Sequence, residues 1–269
     1  LSPRKVLCVG PIFSEFVRAL RAFGIPCEIH TPPVETGFAL GAEDLRKIWN
    51  TDADLVILCT PNNPAGVTYD NILGLLDVLR APRVLIDNSY QEFLYGSPEY
   101  DDNRMHVYQR HLRPGVNLFS LHSFTKFFCC PGIRLGYLIG DRVQLARMAR
   151  FKPSWTVSTH AQTMGRLFLD SLDEYRQCLE PLRSSVKELA EGLRKRACIH
   201  PGRVFEGPGF ICCGLAQGYS ASAVYEKLLR QDMIVRNCDT IPGMPQGFIR
   251  LRARTPEDND RLLSALERM

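Results

Sequence analysis

Three short, unbroken apolar runs separated by stretches of helical periodicity restrict this chain more than any other feature. Lys5–Gly10 (KVLCVG), Ala53–Thr60 (ADLVILCT) and Arg83–Asp87 (RVLID) are continuous rather than alternating, as expected of strands covered on both faces. Between them lie helical patterns over Ser14–Phe23, Ala42–Asn50 and Tyr69–Arg80. Ser14 is placed to cap the first of these, and Gly24 stands just past its end. Cys27–His30, Val116–Leu121 and Arg134–Ile139 read as further strands. Strands alternating with helices give an α/β fold, a mostly parallel sheet covered by helices.

The texture changes after Gly140. Arg142–Phe151 and Thr159–Leu169 are helical, and Asp173–Lys195 reads as one long amphipathic helix. Short strands (Phe210–Leu215, Phe248–Ala253) then alternate with helices (Ser222–Gln231, Pro256–Arg268). The expected division is a large domain over residues 1–172, and a connecting helix with a smaller C-terminal α+β domain over residues 173–269.

A chain of 269 residues can bury a sizeable core, and 45% apolar with 23% charged residues is the usual globular mix. The net charge of +4 leans only weakly toward anionic ligands. No basic run is interleaved with aromatics, which argues against nucleic acid. No apolar stretch reaches the ~20 residues that span a bilayer, and no signal peptide opens the sequence, so a cytoplasmic protein is expected. None of the ten cysteines forms a CxxC, and Cys129–Cys130 and Cys212–Cys213 are adjacent. They read as reduced, buried thiols rather than as disulfides or a metal site.

In a sheet of this kind ligands bind at the carboxyl ends of the strands. Three loops there are unusual. Thr60-Pro61-Asn62-Asn63-Pro64-Ala65-Gly66 fixes its backbone with prolines and offers two amides; alone it is a turn. Asp87-Asn88-Ser89-Tyr90 ends a buried strand on a carboxylate, which either meets a cation or is satisfied within an Asx-turn. Leu121–Lys126 (LHSFTK) leads into Pro131-Gly132-Ile133-Arg134-Leu135-Gly136-Tyr137. Ser123, Thr125, Lys126 and Arg134 thus fall within twelve positions, hydroxyls and a guanidinium suited to a phosphate beside an amine. Phe127 and Phe128 follow the lysine, and desolvation by them would free its amine as a nucleophile. Alone, Lys126 is a surface lysine. Together the loops supply what pyridoxal phosphate requires: an amine to condense with its aldehyde, an anion for its pyridinium nitrogen, donors for its ring oxygen and a phosphate cup.

On the patterns N-N-P-x-G, D-x-x-Y and S-x-[ST]-K-x(7)-R-x-G-Y the chain resembles the fold-type I (aspartate aminotransferase-like, class I/II) pyridoxal-phosphate enzymes. It resembles most closely the branch holding threonine-phosphate decarboxylase and histidinol-phosphate aminotransferase. The resemblance covers essentially the whole chain. It implies that Lys126 carries the cofactor covalently and that Asp87 pairs with the pyridine nitrogen. It also implies that Tyr90 and Asn63 bond the ring oxygen, that Ser123, Thr125 and Arg134 hold the phosphate, and that Phe13 stacks on the ring. Arg250 matches the arginine that takes the substrate carboxylate; Arg252 and Arg254 share its strand parity, and motif position alone selects among them.

Ser123–Tyr137 follows the form S-x-T-K-F-[FY]-x-x-P-G-[IL]-R-L-G-Y of the decarboxylase branch. Pro153–Val157 and Val235–Cys238 lean the same way. The resemblance implies an L-threonine-O-3-phosphate decarboxylase-like lyase of cobalamin side-chain synthesis. The alternatives are a histidinol-phosphate or related class I/II aminotransferase, and a non-catalytic truncated relative. Small amino acids or amino phosphates are the implied substrates, and a homodimer the implied assembly, with no metal. Relatives carry a further N-terminal segment with a phosphate-binding loop at a helix N-terminus; this sequence starts just after the matching position, as a fragment or a truncated or divergent member would, and weaker cofactor binding without that loop is the expected result. His122 stands where relatives often have arginine, and reads either as a contact for a substrate phosphate or as a packed strand-end histidine.

Overall fold

In the computed structural model, which describes residues 3–69, 72–79, 81–97, 100, 110 and 116–269, the chain builds two sheets. The first has the order β2-β1-β3-β4-β5-β6. Its strands are β1 (Val6–Val9), β2 (Cys27–His30), β3 (Leu55–Cys59), β4 (Arg83–Asp87), β5 (Asn117–Ser123) and β6 (Gly136–Gly140). The first five run parallel, and β6 returns antiparallel to β5. Crossover helices α1 (Ser14–Ala22), α2 (Ala42–Trp49) and α3 (Ile72–Val78) make the parallel pairing possible. Val17 and Leu20 of α1 join Val6, Cys8 and Ile57 on one face. Ile48 of α2 and Leu75 and Leu76 of α3 join Val56, Leu58 and Val84 on the other. Apolar partners on both faces are why these strands are continuous apolar runs.

The second sheet is antiparallel, in the order β7-β8-β10-β9: β7 (Ile199–Gly207), β8 (Phe210–Leu215), β9 (Arg236–Asn237) and β10 (Phe248–Arg252). Four helices, α4 (Phe124–Phe127), α5 (Arg142–Ala149), α6 (Thr159–Asp170) and α7 (Leu172–Gln177), lead from the first sheet to α8 (Leu179–Arg194). α8, α9 (Ala221–Leu229) and α10 (Pro256–Glu267) cover one side of the second sheet, where Leu189, Ile211, Val224, Ile249 and Leu266 share one core.

Several expectations are corrected. Ser14 is the first helical residue of α1 rather than its cap; Phe13 holds the cap position, with no side-chain cap bond. The single helix over Asp173–Lys195 is two helices broken at Cys178. Pro181 has no N–H for the carbonyl of Gln177, so one continuous helix would leave that acceptor unpaired. The helix over Tyr69–Arg80 appears as Ile72–Val78, with Asp70, Asn71 and Arg80 outside the described residues. β7 and β9 were not foreseen. β7 contains Pro201 and Gly202 and an irregular register, and so lacks alternation; β9 is two residues long.

The sheets meet where the Pro61–Gly66 loop touches the β7–β8 hairpin. Gly66 has φ +80°, and a Cβ there would lie 2.7 Å from the Glu206 carbonyl oxygen and 2.8 Å from the Gly207 Cα. Only glycine allows that approach. Phe38 and Ala65 pack with Cys212, Cys238 and Phe248 in the same region.

Candidate active site

Strand register sets the site. Cys59 lies opposite Asp87, and Asp87 opposite Leu121, so β3 and β4 end level with one another and β5 runs two residues further, to Ser123. The loops that follow bring Asn63, Tyr90 and Lys126 to a common edge, where a cavity of about 790 Å³ opens. Its wall contains Phe13, Asn63, Asp87, Tyr90, Ser123, Thr125, Lys126, Arg134 and Arg250. All nine residues singled out in the sequence therefore face one space.

Each is held by local chemistry. Asn62, fully buried, donates from Nδ2 to the Pro11 carbonyl (2.9 Å) and accepts the Ala65 N–H at Oδ1 (3.0 Å). That ties the proline loop to the segment bearing Phe13. Asn63 Oδ1 accepts from the Arg250 guanidinium, which leaves its Nδ2 as the donor end. Asp87 is 6% exposed and accepts the Ser89 N–H at Oδ1 (3.0 Å). Among the described residues it forms no ion pair, so the Asx-turn satisfies it only in part.

Tyr90 packs edge-on against Phe210 (centroids 5.5 Å) and tilted on Phe93. Burial pushes its phenol up, opposed by the charge of Arg250, so it stays a hydroxyl donor at neutral pH. Lys126 Nζ lies 5.4 Å from the Tyr90 ring centroid. Ser123 caps α4, accepting the Thr125 N–H at 3.2 Å. Phe127 and Phe128 bury their rings with Phe168 and Leu179, so they anchor the short helix. Phe127 also lines a second cavity that Lys126 borders. Arg134 is left-handed (φ 53°) and exposed, with Nη1 on the Pro131 carbonyl at 2.9 Å.

The structure separates the three arginines of β10. Arg250 lines the cavity. Arg252 lines only the adjoining one, and Arg254 pairs with Asp258 at 2.7 Å. Arg236 was not singled out in the sequence. It lies directly opposite Arg250 in the β9–β10 register and lines the same cavity. A two-residue strand carries no periodicity, so nothing in the sequence paired these residues.

His122 also lines the cavity but is packed. Its ring stacks on Tyr137 (centroids 4.6 Å, planes 2° apart), and Nε2 is 2.8 Å from Ser120 Oγ. Asn88 Nδ2 donates to the same hydroxyl at 2.7 Å, so the serine proton goes to Nε2 and the imidazole keeps its own on Nδ1. Desolvation lowers the His122 pKa to about 4. A neutral ring supplies a donor rather than a charge for a phosphate.

Six of the ten cysteines are buried as expected; Cys129 and Cys178 are exposed. Among the described residues no helix is long and apolar enough to cross a membrane.

The chain is 27% identical to the threonine-phosphate decarboxylase of Salmonella typhimurium, over 99% of this chain and 71% of that protein. It is 26% identical to a histidinol-phosphate aminotransferase of Methanococcus maripaludis, over 97% of this chain and 68% of the relative. In fold it is similar to the crystal structure of the histidinol-phosphate aminotransferase from Clostridium acetobutylicum, with a TM-score of 0.82 at 24% identity, covering 98% of this chain and 77% of that one. Residues 2–266 match the family described as aminotransferase class I and II, and the chain belongs to that family of pyridoxal-phosphate enzymes.

Proposed function

We propose that this chain binds pyridoxal 5'-phosphate at Lys126 and acts on a phosphorylated amino acid, in the manner of an L-threonine-O-3-phosphate decarboxylase. The observation that carries the reading is the convergence of Lys126, Asp87, Asn63 and Tyr90 with Arg236 and Arg250 on one cavity. The donor set fits the cofactor. Asp87 is a buried carboxylate without a cationic partner among the described residues, suited to hold a proton on the pyridine nitrogen. The Nδ2 end of Asn63 and the raised phenol of Tyr90 suit the ring oxygen. Ser123, Thr125 and Arg134 suit the phosphate, and Phe13 the ring face. The 790 Å³ cavity has room for cofactor and substrate together.

When bound, pyridoxal phosphate supplies a sink for the electron pair released as a bond at the substrate α-carbon breaks. The chain supplies position and protons. Arg250 takes the α-carboxylate, and its bond to Asn63 sets that carboxylate relative to the ring-oxygen donors. Arg236, opposite it, adds a second cation, which favours a doubly anionic substrate. Lys126 Nζ is the one amine on the wall among the described residues and moves the proton at the α-carbon. Which bond at the α-carbon breaks would be set by how Arg250 and Arg236 orient the substrate.

The second reading, a histidinol-phosphate or related aminotransferase, uses the same residues, with Arg250 and Arg236 on the phosphate because histidinol phosphate has no α-carboxylate, and is supported by the relative from Methanococcus maripaludis. Release of CO2 from threonine phosphate supports the first reading. Amino transfer from histidinol phosphate to 2-oxoglutarate, with no CO2 released, overturns it in favour of the second. The division at residues 1–172 and 173–269, a cytoplasmic location and a homodimer with sites near the subunit interface belong to this proposal.

A further inference from the structure

We propose that Arg252 forms an outer anion subsite that selects a substrate whose side chain ends in a phosphate monoester; the inference deepens, and rests on, the reading of this site as an amino-acid enzyme. A second cavity of about 980 Å³ adjoins the first and shares Lys126, Arg236 and Arg250 with it. Arg252 lines only this outer space. Arg250 and Arg252 are two positions apart on β10 and so share a face, and Arg236 faces Arg250 across the strand pair.

Three guanidiniums therefore sit on one concave wall, and none forms an ion pair among the described residues. Like charges this close on a sheet repel, so the patch is unfavourable empty and favourable around an anion. Arg254, next in parity, is already neutralised by Asp258, whereas Arg252 has no such partner among the described residues. Among the described residues Arg252 donates to Cys129 Sγ at 3.8 Å, a weak acceptor that a phosphate oxygen would displace.

Division of labour follows from position. Arg250, which also borders the inner cavity, is committed to the α-carboxylate. Arg252 lines only the outer cavity, so it is available to a group that projects out of the inner one. Around it the wall is largely apolar, including Phe93, Leu182 and Tyr225, which suits a carbon stem and strengthens a charge-assisted bond at its end. A dianion balances Arg252 and Arg236 together, as a single carboxylate does not.

The test is calorimetric titration of O-phospho-L-threonine and of L-threonine into wild type, Arg252→Ala and Arg252→Lys, each with pyridoxal phosphate added. Loss of one charge-assisted hydrogen bond predicts a Kd for phosphothreonine about tenfold weaker in Arg252→Ala. Arg252→Lys falls between, and threonine binding stays within twofold of wild type. A second readout needs no turnover: phosphothreonine should change the alkylation rate of Cys129, followed by peptide mass mapping, and leave that of Cys178 unchanged. No measurable phosphothreonine binding by wild type overturns the inference. So does an unchanged Kd in Arg252→Ala, or an equal loss for both ligands. Failure of wild type to develop the visible absorbance of lysine-bound cofactor counts instead against the proposed function.

Discussion

The Arg250 guanidinium donates to Asn63 Oδ1, joining two residues 187 positions apart in sequence. The bond links the antiparallel sheet to the proline loop after β3, and so links the residue proposed to hold the substrate to one proposed to hold the cofactor. Arg250→Ala should raise KM for the phosphorylated substrate about ten- to a hundredfold, the cost of a charged hydrogen bond. Asn63→Ala should weaken both cofactor and substrate binding. Steady-state kinetics with cofactor titration checks both. A change in kcat alone, with KM and cofactor affinity intact, would contradict the linkage.

Asn62 makes the loop possible without touching the cavity. It is fully buried and bonds both the Pro11 carbonyl and the Ala65 N–H. Asn62→Ala leaves both groups unpaired and should lower stability by about 1–3 kcal/mol in urea unfolding. A variant as stable as wild type would show that water replaces the amide at no cost.

Gly66 is a sharper case. Its φ is +80°, and a Cβ there would lie only 2.7 Å from the Glu206 carbonyl oxygen, which leaves no room for a methyl group. Gly66→Ala should destabilise by about 1–3 kcal/mol from backbone strain alone, with more from the clash. Part of the second sheet must shift, so the Kd of substrates held by Arg250 should rise as well. Thermal unfolding and calorimetry read the two effects separately.

His122 predicts a pH dependence. Burial lowers its pKa from 6.5 to about 4. Between these values the unfolded chain binds the proton and the folded chain does not, so folding is progressively disfavoured as pH falls. The contribution is fully present above pH 6.5 and is lost as pH falls toward 4. His122→Gln should flatten the stability profile across that window, measured as the wild-type minus variant difference in urea midpoints. A parallel offset at every pH would mean that the ring titrates in the fold as it does in the unfolded chain.

Much of this was legible in the chain, for a physical reason. Buried parallel strands must be apolar throughout, so VLCV, LVILC and RVLID announce themselves, and in such sheets chemistry gathers at the carboxyl ends. Asn63, Asp87, Tyr90 and Lys126 could therefore be picked out as loop residues before any geometry was known. Features that depend on partners distant in sequence could not. Arg236 acquires meaning only from lying opposite Arg250, and His122 only from the Asn88–Ser120 relay and the Tyr137 ring beside it. The break before α8 was legible in Pro181, whose missing N–H outweighs the amphipathic pattern around it.

The central claim is that Lys126 holds the cofactor. The most direct measurement is the visible absorbance of protein mixed with pyridoxal phosphate, before and after borohydride reduction, with the modified peptide identified by mass spectrometry. The account predicts a band in wild type, none in Lys126→Ala with unchanged circular dichroism, and a reduced pyridoxyl group on Lys126 alone. A band that survives in Lys126→Ala, or label on another lysine, would contradict it.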